Sequence, residues 1–439
     1  MKKFFLIMVC STFVVLSYKI NAQGIDKDSL NISTVITLTL ENQPLVKQAE
    51  DQIRIAEAKI RQQETFNMPR VEAELDYTMI GPIPAFEVPG LGAFELAPRN
   101  NYNADVVVSY MIFDFNKRKA LLDMLTSYKL TSEERVNIVK SELSYRAIQT
   151  FYSILFLEKS IKVKNEQINT LKEHTQIAKK KFDTGSVTDL DVLTTKVRVA
   201  AVENQRIEIQ KNLDKQKVLL AALIGLNDRK TLKIKGDFSE QTLSSLSSSL
   251  VEQAYANREE IKTALLNEES IKLEKNVASL TDAPTISLFG AYGIKNGFEP
   301  NLDVWRGNWA LGGVAKIPIF NGGLKDGKIA EADANLKASN DNIESLKRKI
   351  KAEVEQSDVE YNANKEALNT SKIGIEEAKQ ALEKSKIQYD NGVLTNLDLL
   401  DAEMSLTQAK LIYISALYQL TISGYQLKQS IGEKIWNTF

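Results

Sequence analysis

The sequence predicts a membrane protein of mixed α and β class, built from two copies of one unit that each supply a pair of β-strands and a pair of long helices. Three observations carry that prediction. The stretch FDTGSVTDLDVL (182–193) returns as YDNGVLTNLDLL (389–400), 207 residues further on (389 − 182), with six of its twelve positions identical. All nine prolines fall between Pro44 and Pro98 or between Pro284 and Pro318, which leaves two long tracts rich in Lys, Glu, Gln, Ala and Leu. Those residue types favour helix, and a proline in a helix interior would break it. Inside the proline-bearing regions, apolar and polar residues alternate with a period of two, the pattern of strands whose two faces meet different surroundings.

The chain opens on Lys2 and Lys3, the apolar run FFLIMVCSTFVVL, and INA before Gln23. This is the form of a secretory signal over 1–22, cleaved after Ala22. The run is too short for a membrane span, and no other long unbroken apolar stretch follows it. The only cysteine, Cys10, lies in this segment and follows Val9, where a lipid-attachment site has a small residue. The exported chain is then expected to carry no thiol, disulfide or cysteine metal site. The only histidine, His174, stands in a polar helical stretch and is expected to be a solvated helix residue, not a ligand. No Ser/His/Asp set, HExxH or phosphate-cradling glycine loop is present, so no enzyme, catalytic residue, cofactor or metal site is expected. Losing Lys2, Lys3 and Lys19 takes the formal charge from −1 to about −4, and no basic patch speaks for nucleic acid.

The first repeat is assigned to 23–230 and the second to 251–439, with a linker at 231–250. Each reads helix, β-hairpin, long helix, turn, helix. The leading helices share Asn42/Asn257, Lys47/Lys262 and Ala49/Ala264 at a constant offset of 215 (257 − 42), and Pro69/Pro284 and Tyr77/Tyr292 keep it. The hairpins are placed at about 70–114 and 285–319. Val71, Ala73, Leu75, Tyr77 and Met79 alternate with Glu72, Glu74, Asp76 and Thr78. Tyr102, Ala104, Val106, Val108, Tyr110 and Ile112 form the matching face of the returning strand. The second pair is less regular: Ile286, Leu288, Tyr292 and Ile294, then Trp305, Trp309, Leu311, Ala315 and Ile317. Alternation over about ten residues is the signature of a membrane β-barrel strand, apolar toward lipid and polar toward a wet lumen. Tyr102, Trp305 and Trp309 lie near the loop ends, where an aromatic girdle belongs. The loop GPIPAFEVPGLGAFELAPRN is long and rich in Pro and Gly, as extracellular barrel loops are.

DFN ending at Asn116 and IFN ending at Asn321 lead into the proline-free tracts, read as helices to Asp183 and Asp390. At 1.5 Å per residue each rod is roughly 100 Å long, and the helices after the turns, to about Gly225 and Gly432, are about 55 Å. Gly185 and Gly392 suit the left-handed position that ends a helix. Thr188 and Thr395 suit N-caps, and Asp191 and Asp398 then stand where a capping box more often has Glu. In the last helix Leu397, Leu400, Met404, Leu411, Ile414 and Tyr418, with Thr407 filling one step, predict a coiled-coil seam.

One chain supplies four such strands, and lipid tolerates no open sheet edge. The smallest single-chain barrels have about eight strands. Several copies must therefore share one barrel.

With its duplicated G-x-x-T-x-L-D-x-L turns, Pro-led first strands, F-N junctions and ENQPLVKQA opening, the chain resembles the TolC family of outer membrane efflux proteins along nearly all of its mature length. The resemblance implies a homotrimer with a 12-stranded barrel in outer membrane lipid, four strands per chain, continued by a periplasmic α-helical barrel. It implies an exit duct for efflux or type I secretion, partnered by a periplasmic adaptor (membrane fusion) protein and an inner-membrane transporter of RND, ABC or similar type. It assigns the periplasmic tip and gate to Phe182, Asp183, Gly185, Thr188, Asp189, Asp191, Tyr389, Asp390, Gly392, Thr395, Asp398 and Asp401. Leu394 departs from the prototype, which has a basic residue there that helps tie the tip shut. Residues 230–250 would form the belt around the helical barrel. The alternative is a secreted or periplasmic coiled-coil structural protein, which accounts for the rods but not for the alternating strands.

Overall fold

The computed structural model describes residues 30–90, 92–226, 232–238 and 247–437. The signal assigned to 1–22 and residues 231 and 239–246 of the linker lie outside them. In chain order the first repeat runs α1 (Ile32–Asn42), α2 (Pro44–Glu64), β1 (Arg70–Met79), β2 (Ala85–Val88), β3 (Gly92–Glu95), β4 (Asn100–Phe113), α3 (Lys117–Asp183) and α4 (Asp189–Ile224). The second runs α5 (Ser247–Asn257), α6 (Glu259–Ser279), β5 (Thr285–Lys295), β6 (Arg306–Lys316), α7 (Leu324–Asp390) and α8 (Asn396–Ser430).

The four long strands form one antiparallel sheet in the order β1-β4-β5-β6, so β1 and β6 are left with free edges. Alternation has its expected consequence. Leu75 pairs with Ala104, Val106 with Tyr292, and Tyr292 with Trp309, which collects the apolar side chains on one exposed face. Glu74, Asp105 and Asn308 collect on the other, through Gly293. Trp305 and Ile317 fall just outside β6, at its two ends. The Pro/Gly-rich loop is not wholly irregular, because β2 and β3 pair within it and stack Phe86 on Phe94 at 5.6 Å.

The rods α3 and α7 have 67 residues each, about 100 Å at the α-helical rise. They begin 207 residues apart (324 − 117), the same offset as the turns. The two F-N dipeptides, 205 residues apart (321 − 116), are therefore not structural equivalents. The junction needs two left-handed residues before each rod. Phe115 and Asn116 supply them in the first repeat, Gly322 and Gly323 in the second. Glycine takes that conformation without penalty and asparagine tolerates it.

Along the rods α3 packs on α4, α7 on α8, and the two coils meet through α3 and α8. The largest apolar core gathers Val35, Ile148, Phe151, Leu220, Ile224 and Tyr425 where α1 crosses them. Leu232 of the linker is buried in it, and Leu30 forms a parallel bridge with Ile234. Toward the turns the face of α8 that packs within the chain is Leu399, Leu400, Glu403 and Thr407. Leu397 and Met404 of the expected seam stay exposed. Spacing of three and four draws more than one stripe on a helix, and the stripe in use here passes through a charged residue.

Candidate functional site

The site is the pair of turns that end the two coils. At the first, the Ser186 N–H donates to the Lys181 carbonyl (2.8 Å) and the Gly185 N–H to the Phe182 carbonyl (2.8 Å). At the second, Val393 donates to Gln388 (2.8 Å) and Gly392 to Tyr389 (3.0 Å). Each is a Schellman closure, which requires a left-handed residue after the helix. Gly185 and Gly392 meet it with φ of 74° and 75°.

The next helices start on matching capping boxes. The Asp191 carboxylate accepts from the Thr188 N–H (3.0 Å) and hydroxyl (2.7 Å), while the Asp191 N–H donates back to the Thr188 hydroxyl oxygen (3.3 Å). Asp398 and Thr395 repeat this at 3.0, 2.6 and 3.3 Å. Aspartate, though shorter than the usual glutamate, reaches the cap. Hydrogen bonds from the Thr395 hydroxyl and then its backbone N–H hold the Asp398 carboxyl below the ordinary carboxylate range.

The two turns lie side by side. Lys181 places its ammonium 4.0 Å from the Tyr389 ring centroid, and Asn396 donates to the Thr195 hydroxyl at 3.3 Å. This breaks the equivalence of the repeats, since Tyr389 is buried and Phe182, its counterpart, is exposed. Asp183, Asp189 and Asp390 are exposed and make no ion pair among the described residues. Asp401 instead meets Arg198 of α4 at 3.2 Å. Leu394 is half-buried, its N–H 3.4 Å from the Gln388 carbonyl.

His174 is not the solvated residue expected. Its Nε2 lies 2.5 Å from Oε1 of Glu403, and the two side chains are only 12% and 6% exposed. They join α3 to α8 seven residues into the latter (403 − 396). Oε2 of Glu403 has no hydrogen-bond partner among the described residues. A cavity of about 190 Å3 beside the pair is lined by Glu403, Arg198 and Lys164. Lys164 is buried, its partners among the described residues being Gln167 and Gln205, and burial pushes its pKa down. Nothing local in the sequence marks this contact, which spans 229 residues.

At the other end of the molecule Tyr102 lies 5.5 Å from Trp305 and 5.1 Å from Tyr77, ring centroid to centroid. Trp309 stands outward beside Tyr292. Tyr77 and Tyr292, which the duplicated strand pattern already contained, thus stand beside the residues expected to form a girdle. Among the described residues no helix is long and apolar enough to cross a membrane.

The model of the outer membrane efflux protein family matches residues 35–226 and 250–433. Outer membrane protein TolC of Vibrio cholerae is 23% identical over 66% of this chain and 67% of its own length. The alkaline protease secretion protein AprF of Pseudomonas aeruginosa is 22% identical over 64% of this chain and 59% of its own. Among solved structures, the outer membrane protein VceC of Vibrio cholerae superposes with a TM-score of 0.75 at 20% identity, covering 91% of this chain and 96% of that one.

Proposed function

The chain belongs to the outer membrane efflux protein family, and from that premise we propose that three copies form the outer membrane exit duct of an efflux or type I secretion system. The observation that carries this is a four-stranded sheet with two free edges, one apolar face, and strands that lead directly into rods of about 100 Å. An edge in hydrocarbon has no water to satisfy its N–H and C=O groups, so the sheet must close. Pairing β6 of one copy with β1 of the next closes it, and three copies give twelve strands (3 × 4). The apolar face then meets lipid and the polar face lines the channel. The rods carry that channel through the periplasm, and the paired turns close its far end. The site residues at the turns act as the gate and meet a periplasmic adaptor, which couples the duct to an inner-membrane transporter. The family is one of channels rather than enzymes, which displaces the coiled-coil structural alternative. Its relatives are named for efflux and for secretion, so the cargo class follows from the partners and not from this chain.

The test is assembly. Native mass measurement in detergent should give a trimer with its strand content intact. A stable monomer retaining the four strands would overturn the shared barrel.

A further inference from the structure

Where α3, α4 and α8 meet, two buried groups of opposite charge keep hydrogen-bonding capacity that the chain does not use. Lys164 on α3 is 8% exposed, and among the described residues its ammonium meets only the side-chain oxygens of Gln167 at 3.1 Å and Gln205 at 2.9 Å. An ammonium has three N–H donors, so one is unspent. Glu403 on α8 gives Oε1 to His174, while its buried Oε2 has no hydrogen-bond partner among the described residues. Both side chains line one cavity of about 190 Å3. Arg198 lines it too, but is turned onto Asp401 and Met404. Charged groups left unsatisfied in an interior are costly, so the two unspent functions call for something between them.

Their separation limits what that can be. Lys164 reaches Gln167, and Glu403 reaches His174, seven residues further along α3 (174 − 167). Seven residues are about 10 Å at the α-helical rise. A single ion or one water, with a contact of about 3 Å on each side, spans only about 6 Å. It serves one group and leaves the other. A molecule with an ammonium and a carboxylate about 3 Å apart spans about 9 Å once each end makes a hydrogen bond. It also presents a positive end to the carboxylate and a negative end to the ammonium without changing the net charge of the interior. The cavity would hold about six waters at a liquid share of about 30 Å3 each, which is room for a molecule the size of glycine or alanine. Leu171, Val202 and Leu400, packed together, give it an apolar wall for a small side chain.

We propose that this cavity binds a small neutral α-amino acid, its ammonium donating to Oε2 of Glu403 and its carboxylate accepting from Nζ of Lys164. The occupant bridges α3 of the first repeat and α8 of the second, and so ties the two coils together near the turns. This goes beyond the exit-duct reading and does not depend on it.

The test is calorimetric titration of the full protein in detergent with L-alanine, against L-alaninamide, which lacks the carboxylate, and propionate, which lacks the ammonium. Alanine should bind saturably, one molecule per chain. Each analogue should bind at least about tenfold more weakly, the effect of losing one hydrogen bond to a charged group. Lys164→Gln should weaken alanine by a similar factor and leave alaninamide as it was. If that variant does not fold, the comparison of the three ligands on the unaltered protein decides alone. No saturable binding of alanine at millimolar concentration would mean that water alone fills the cavity. Equal binding of alanine and alaninamide would mean a site for cations at Glu403, and equal binding of alanine and propionate a site for anions at Lys164. Undiminished binding of alanine to Lys164→Gln would place its site elsewhere. Any of these overturns the proposal.

Discussion

The His174–Glu403 contact shows how much one buried pair can carry. A carboxylate at 6% exposure with one oxygen unpartnered depends on its single donor. Arg198 is occupied by Asp401 and Met404, and Lys164 by two glutamines, so neither compensates Glu403 directly. Removing one partner of a buried hydrogen bond leaves the other unsatisfied, at a cost of about 1–3 kcal/mol and more for a charged group. His174→Ala should therefore lower the thermal midpoint of the assembled protein by more than Glu403→Ala, because alanine at 174 leaves a buried carboxylate side chain with neither oxygen hydrogen-bonded. The double variant should recover part of the loss. Equal and additive losses in a double-mutant cycle would show that the pair is not coupled. The sequence offered no sign of this contact. A lone histidine in a polar helix usually faces water, and the contact is visible only once two helices from different repeats are brought together. Thr188, Thr395, Asp191 and Asp398 were legible for the opposite reason, since a cap is closed by residues three apart in the chain.

Among the elements, the strands show the same division. Alternation marked β1, β4, β5 and β6, because a two-residue period on a sheet with unlike faces needs no knowledge of the partner strand. The pairing of β4 with β5, which welds the two repeats into one sheet, was not legible, and its tightest point is a glycine. A Cβ on Gly293 would lie 2.0 Å from Oδ1 of Asp105 and 2.2 Å from the Ala104 carbonyl oxygen. The carboxylate could rotate away, but the carbonyl belongs to the neighbouring strand. On Gly313 the nearest atom would be a flexible Leu288 methyl at 3.3 Å. Gly293→Ala should thus open the β4–β5 seam, beyond the roughly 1–3 kcal/mol of ordinary overpacking. Gly313→Ala should be tolerated. The yield of folded, heat-modifiable protein in detergent gels would separate them, and equal yields would show that the sheet absorbs the extra carbon.

For the whole molecule, the turns of three copies would gather at the narrow end of the duct. Each chain brings Asp183, Asp189 and Asp390 there exposed and without ion pairs, together with the capping carboxylates Asp191 and Asp398. Cations stand close by. Lys180 and Lys181 occupy the last turn of α3, but Lys181 is turned onto Tyr389 and Arg198 onto Asp401. The carboxylates at the turns are thus less compensated than the sequence count of lysines suggests. Like charges crowded into a constriction attract counter-ions and repel co-ions, so a cation-preferring pore is expected. Protonation gives the sign. A capping carboxylate whose pKa is lowered, as at Asp398, keeps its charge and its cap as pH falls until its own depressed pKa is reached. The share of the cation preference that Asp398 supplies should therefore persist through mild acid and be lost only below the ordinary carboxylate range. Asp191→Asn with Asp398→Asn separates capping from conduction, since asparagine at N3 still offers an oxygen to the N-cap threonine but carries no charge. In planar bilayers, reduced cation preference with unchanged trimer stability would assign the carboxylates to the permeating ion. Unchanged selectivity would leave them as caps alone, and would pass the charge role to Asp183, Asp189 and Asp390, whose substitution by asparagine completes the comparison.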